Sequence, residues 1–193
     1  MNKTWVFSDP HYGHKNICRG TTSWEPSLRT RPFDTIEQMN NAIVESINAC
    51  AEQDDTIICI GDWAFGSIDN IYTFYSRLIC KNIIFIPGNH DTKIKENRLL
   101  PNTSCQAQDL FIMYPELITI NHKGTSITLC HYPLDQWENK NRGGIHIHGH
   151  SHHSLDDTIL NKEYRRIDVG WTETKGIYLL DDIIEQLSNR KCK

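Results

Sequence analysis

Thr56-Ile57-Ile58-Cys59-Ile60-Gly61-Asp62 decides the fold class, because a short apolar run here stops abruptly on a glycine and a carboxylate. Such a run, with no polar alternation and a turn signal at its end, reads as a strand buried on both faces. Residues 4–8 repeat the pattern upstream and run into Asp9-Pro10-His11; residues 82–86 repeat it downstream and run into Pro87-Gly88-Asn89-His90-Asp91. Helical spacing fills the gaps. Residues 34–53 carry Ile36, Met39, Ile43, Ile47 and Cys50 as one stripe, with Asp34 and Glu37 at capping-box spacing. Ser67 is positioned to cap a helix reaching residue 80, with Ile68, Ile71, Tyr72, Tyr75, Leu78 and Ile79 inward. This β-α-β-α-β order predicts a parallel or mixed sheet covered by helices.

Beyond residue 109 the pattern changes. Residues 117–120 and 126–130 flank Asn121-His122-Lys123-Gly124 and read as an antiparallel hairpin. Residues 145–148, 164–169 and 177–180 read as further strands, and residues 182–187 as a closing helix. The expected fold class is therefore α/β, a sandwich of two mixed sheets flanked by helices, with residues 1–193 forming one domain. Residues 12–33 and 135–144 are the long loops, and loops of that length are often functional.

Composition narrows the field. A chain of 193 residues with formal charge −4 is not a strongly basic nucleic-acid binder. No apolar run approaches the roughly 18 residues of a membrane span. The first residues hold no long apolar stretch before a cleavage site, so a cytoplasmic protein without a signal peptide is expected. The seven cysteines form no CxxC pair and several sit inside apolar runs, which reads as buried thiols in a reducing compartment. Ten histidines are the anomaly, and five of them fall between His146 and His153.

The polar residues sit at strand ends: Asp9 and His11, then Asp62, then Asn89, His90 and Asp91, then His131, then the histidines after residue 148. In open α/β sheets those ends converge on one crevice. Carboxylate, amide and imidazole donors in that number suit two divalent ions clamping a phosphoryl group.

Asp9-Pro10-His11, Gly61-Asp62, Gly88-Asn89-His90-Asp91, His131 and Gly149-His150-Ser151-His152 together resemble the five ordered motifs of calcineurin-like metallophosphoesterases. Arg31-Pro32-Phe33 followed by Met39-Asn40 also resembles a small bacterial and phage branch of that superfamily. The resemblance implies that Asp9, His11 and His152 hold one ion, that Asn89, His131 and His150 hold the other, and that Asp62 bridges them. It further implies attack by a hydroxide shared between the ions, with His90 protonating the leaving oxygen and Asp91 orienting His90. Mn²⁺ is the preferred pair of ions, ahead of Zn²⁺, Fe²⁺ or Ni²⁺. The expected substrate is a small nucleotide or cyclic nucleotide phosphodiester, ahead of a phosphomonoester.

Departures from the family pattern exclude some subclasses. Trp63-Ala64-Phe65 after Asp62, and Asp91 after His90, do not match Ser/Thr protein phosphatases. Phe65 stands where purple acid phosphatases carry a tyrosine ligand. A DNA or RNA nuclease of the same superfamily is the alternative enzyme, and a non-catalytic metal-binding scaffold the alternative class.

The remaining candidates are weaker. Tyr12 and His14, beside the first motif, are candidates to line the pocket. Arg31, Lys140 and Arg142 are candidates to neutralise phosphate, against solvated surface charge as the commoner fate of such side chains. Trp24, Trp63, Trp137 and Trp171 could stack a base, against packing in the core or at its rim. His148 and His153 are expected to face solvent, His146 to lie on the other strand face, and His122 to sit in the hairpin turn.

Overall fold

The computed structural model describes residues 2–25, 30–190 and 192. In chain order its elements begin with β1 (Thr4–Phe7), α1 (Ile36–Asn48), β2 (Thr56–Cys59), α2 (Asp69–Arg77), β3 (Ile83–Phe85), α3 (Thr92–Lys95) and β4 (Ile112–Met113). They continue with β5 (Leu117–His122), β6 (Thr125–Cys130), β7 (Ile145–His148), α4 (Ile159–Glu163), β8 (Arg166–Asp168), β9 (Tyr178–Leu179) and α5 (Leu180–Ser188). One sheet has the order β4-β3-β2-β1-β9, parallel except for β9. The other has the order β5-β6-β7-β8, parallel except for the β5–β6 hairpin. These are the two mixed sheets expected from the sequence.

The apolar runs are unbroken because each strand of the first sheet faces two cores. Val6, Ile58, Ile60 and Ile86 pack between the sheets against Ile127, Leu129, Ile145 and Ile147. Their neighbours Phe7, Ile57, Cys59 and Phe85 point the other way, onto Met39, Ile43 and Ile47 of α1 and onto Ile71 and Phe74 of α2. Leu180, Ile183 and Leu187 of α5 join the inter-sheet layer.

Helix ends depart from expectation for local reasons. The capping box of α1 lies one residue on: the Thr35 hydroxyl accepts from Gln38 N–H while the Gln38 side chain accepts from Thr35 N–H. The helix stops at Asn48, well before residue 53. The Asn48 amide then donates to Arg77 C=O and accepts from Ile79 N–H, which ends α2 and turns the chain out. As a result Ile79 and Tyr72 are exposed and Phe74 takes the inward place expected of them. β4, only two residues long, had no sequence signal.

The loop at residues 135–144 serves packing. Trp137 covers His146 on the outer face of the second sheet, its indole N–H donating to Gly144 C=O. His146 and His148 are both fully buried there, so the expectation that His148 faces solvent is wrong: the sheet's outer face is covered. His122 closes β5 and pairs with Asp181 at 2.9 Å. Among the described residues, no helix is long and apolar enough to cross a membrane.

Candidate metal centre

The strand ends of both sheets meet at one rim. β1 delivers Asp9 and His11, β2 delivers Asp62, and β3 delivers Asn89 and His90. β6 delivers His131, and β7 delivers His150 and His152. The backbone bends hard to do this. Asp9, His11, Asp62, His150, His152 and His153 all have φ between 47° and 64°, the left-handed region where side-chain-bearing residues are uncommon. Such conformations persist where surrounding bonds over-determine them, and they cluster at functional sites.

Two buried carboxylates supply those bonds. Asp91 accepts from the N–H groups of Asp62 (2.7 Å), Trp63 (3.0 Å) and Gly88 (2.7 Å). Asp168 accepts from the Ser151 hydroxyl, from His153 N–H at 2.9 Å and from Gly170 N–H at 2.8 Å. Glycine is required where loops touch: a Cβ on Gly88 would strike the Asp62 carboxylate, and one on Gly149 would strike Ser8 and Asp9. Asp91 thus holds loops in place. No bond joins it to His90, so its expected role in orienting that imidazole is not what its contacts do. Burial, with the nearby Asp62 charge, raises its pKa to about 6 against the pull of the three N–H donors.

The donors form two overlapping sets. In the first, His11 Nε2 lies 3.2 Å from His152 Nε2 and 3.6 Å from Asp9 Oδ1, and His152 Nε2 is 3.7 Å from the same oxygen. In the second, Asn89 Oδ1 lies 3.1 Å from His131 Nε2 and 3.0 Å from His150 Nδ1. Asp62 stands between them, its Oδ2 being 3.6 Å from His11 Nε2 and 3.4 Å from His131 Nε2. Its other oxygen accepts from His90 N–H.

The donor set fits cations. Asp9 Oδ1 is buried and has no hydrogen-bond partner, although imidazole nitrogens surround it. His131 Nδ1 lies 2.8 Å from Ile60 C=O, which only accepts, so Nδ1 carries a proton and Nε2 is the nitrogen turned toward the carboxylates. Asp9/His11/His152 and Asp9/Asp62/His131 each gather their ligand atoms within 4.8 Å. A third cluster, His153/Asp156/Asp168, already holds a cation: Lys175 Nζ is 3.0 Å from His153 Nδ1 and 3.1 Å from Asp156 Oδ2.

Electrostatics follow the same division. Burial would raise the Asp9 and Asp62 carboxyls, but the facing imidazoles, His11 and His152 at Asp9 and His131 and His11 at Asp62, carry both below the usual range. Burial would lower His131, yet Asp62 and Asp9 push it up to about 9. Burial brings His152 and His14 down to about 4, and lowers His150 and His90.

Of the expected substrate contacts Tyr12, His14 and Arg31, only His14 reaches the crevice, which it lines with His11, Ile17, Trp24, Asp62 and His90. Tyr12 is 4% exposed, stacks on Phe74 and accepts from Arg77, because its side chain points back into the helix-side core. Arg31 is also buried and donates to the carbonyls of Pro10, Asp9 and Trp171, so it clamps the first motif and is neither surface charge nor phosphate ligand. Asp168 was missed in the sequence, although it has the signal used for the others: a carboxylate ending an apolar run.

A family model for calcineurin-like phosphoesterases matches residues 3–154. The chain belongs to this family. An uncharacterized protein of Methanocaldococcus jannaschii is 26% identical over 172 residues, covering 88% of this chain and 81% of that one. The gene 66 protein of Mycobacterium phage L5 is 26% identical, covering 98% and 96%. Among solved structures, a protein of unknown function from Aquifex aeolicus shares the fold at TM-score 0.63 and 19% identity, covering 96% of this chain and all of that one. An archaeal phosphodiesterase aligns at TM-score 0.48 and 19% identity, over 92% and 98%. As a calcineurin-like phosphoesterase the protein is a metal-dependent phosphoester hydrolase, and the buried donor clusters are where its divalent metal would bind.

Proposed function

We propose that this calcineurin-like phosphoesterase hydrolyses a small phosphodiester, a nucleotide or cyclic nucleotide, using two divalent ions with Mn²⁺ preferred. Asp9, His11 and His152 would hold one ion, Asn89, His131 and His150 the other, and Asp62 both. The observation that carries this reading is the position of Asp62 Oδ2, within 3.6 Å of one imidazole from each set. Bound divalent ions supply Lewis-acid charge to the phosphoryl oxygens and lower the pKa of the attacking water.

The chain's own residues supply the rest. His90 is an exposed imidazole of the rim, its side chain 41% accessible, with Nε2 4.0 Å from Asp62 Oδ2. A proton on that nitrogen goes to the departing oxygen, and the Asp62 charge favours the protonated imidazole against the effect of burial. His131 donates from Nδ1 to Ile60 C=O, which fixes the ring with Nε2 toward the ion it would hold. Asp91 and Asp168 fix the loops so that no rearrangement is needed at the moment of reaction.

The test is turnover of bis(p-nitrophenyl) phosphate against p-nitrophenyl phosphate with added Mn²⁺, followed by cyclic mononucleotides, cyclic dinucleotides and short single strands. Faster diester than monoester turnover, with a nucleotide diester as the best substrate, is the expected result. Cleavage confined to long nucleic acid would make it a nuclease. No turnover by folded protein with any divalent metal would make it a scaffold.

A further inference from the structure

One flank of the metal cluster is a continuous aromatic wall. Trp24 meets His14 edge-on at 5.9 Å between ring centroids, and His14 stacks on Phe65 at 3.8 Å. Phe65 in turn meets His90 at 5.1 Å. The wall touches the ligands themselves, since His11 lies 5.5 Å from His14 and 5.6 Å from His90. It then borders a cavity of about 260 Å³ lined by Phe65, Ile71, Ile94 and His90, across which Lys93 donates to Gly66 C=O.

Trp24 is the unusual member. Trp63, Trp171 and Trp137 are all at most 9% exposed, whereas Trp24 is 48% exposed, at the lip of the crevice that holds His11, Asp62 and His152. Among the described residues lining that crevice, none is Lys or Arg. The nearest buried cation, Arg31, is committed to three backbone carbonyls. A site built to follow a nucleic-acid backbone needs a basic track, whereas an aromatic face suits a flat ring.

We propose that the wall Trp24–His14–Phe65 seats a planar aromatic ring carried on the leaving-group side of the scissile phosphate, so that the substrate is a nucleoside phosphodiester of mononucleotide size. This rests on the reading of the site as a phosphoesterase with His90 beside the leaving oxygen. The ring lies against Trp24 and His14 and continues toward the Phe65 cavity. That cavity falls below the roughly 300–1,000 Å³ of drug-sized sites, enough for one ring system and no second nucleotide.

The experiment uses metal-loaded protein and two hydrolysis-resistant phosphonates, the analogues of AMP and of ribose 5-phosphate. Both present the same phosphonate and only one presents a base. Calorimetric titration should give affinity roughly 5- to 150-fold tighter for the AMP analogue, the range for one base stacked on an aromatic side chain. Trp24→Ala should erase that difference without weakening the ribose analogue, and Trp24→Phe should keep most of it. Tryptophan fluorescence should be quenched by the AMP analogue in the parent and not in Trp24→Phe. Equal affinity for both analogues in the parent overturns the proposal, as does an equal loss of both in Trp24→Ala. In either case an enzyme that still cleaves phosphodiesters keeps the phosphoesterase reading intact. If neither analogue binds and no phosphodiester is cleaved, both fall together.

Discussion

The two sheets contribute unequal halves to the metal centre. From the first sheet come Asp9, His11 and Asp62, each at most 3% exposed, held from beneath by Asp91 and from the side by Arg31. From the second come His131, fully buried, and then His150 and His152, which reach the rim, where the His152 side chain is 19% exposed. The device is the same in both halves, a buried aspartate accepting two donors from a ligand-bearing loop with left-handed backbone and a third from a glycine N–H close to it in sequence. The difference lies in what is held. The first half fixes its two carboxylates in a dry floor, and the second brings imidazoles over it from a loop that water can reach. Loss of Asp62, the floor residue proposed to hold both ions, should therefore disturb both, while loss of a rim imidazole should disturb one.

The largest effect tests that division directly. Asp62→Asn should abolish turnover and lower both metal occupancies, whereas His152→Ala should deplete mainly one, as measured by elemental analysis of protein purified without chelator. Equal losses in the two variants would break the distinction between floor and rim.

His90 belongs to the first half but is exposed like the second, and it should separate chemistry from metal binding. His90→Asn should slow turnover by roughly 10²–10⁴-fold, the usual range for a general acid, at near-normal metal content. The penalty should shrink for nitrophenolate leaving groups, which need little protonation. Because burial holds the His90 pKa below the ordinary imidazole value of 6.5, the rate for poorer leaving groups should fall as pH rises through the acidic range below that value. The variant should lack that limb.

A smaller effect compares the two loop anchors. Asp91→Ala and Asp168→Ala each strand three donors, at about 1–3 kcal/mol for each one left buried and unpaired. Each should also weaken metal affinity by roughly 10–100-fold, as loss of a group supporting a ligand commonly does. Chemical denaturation and metal titration would show both. If Asp168→Ala left His152-dependent occupancy untouched, the rim loop would be held by something else.

The smallest effect lies away from the centre. His146 accepts from Leu134 N–H at Nε2 and donates from Nδ1 to Thr128 C=O, so it is buried neutral. Burial first, then the adjacent His148, brings its pKa from 6.5 down to about 3. A depressed folded-state value means its stabilisation is present above pH 6.5 and is lost as pH falls toward 3. Its share should be a loss of about 2 kcal/mol between about pH 7 and about pH 5, removed from the pH dependence in His146→Gln.

The sequence by itself determined the two-sheet class and the set of polar residues at the strand ends. Both follow from local rules: unbroken apolar runs mark strands buried on two faces, and the runs end where the chain must turn. The Lys123-Gly124 turn between β5 and β6, and the Met39–Ile43–Ile47 stripe, were legible for the same reason. The tertiary structure alone decided which way side chains point from those turns. Tyr12 stands next to the first motif in sequence and Arg31 at the far end of the loop that follows, yet one turns into the core and the other clamps carbonyls behind that motif. Asp91 follows His90 directly and faces the opposite way, toward the N–H groups of Asp62, Trp63 and Gly88. His146 lies off the site as its alternation with Ile145 and Ile147 implied, whereas His148, expected in solvent, lies beside it on the covered outer face of the strand. Periodicity along the chain assigns a residue to an element. Its direction at a strand end depends on backbone angles that only contacts from distant loops hold in place, and at Asp9, Asp62 and His150 those angles are ones the residues would not adopt alone.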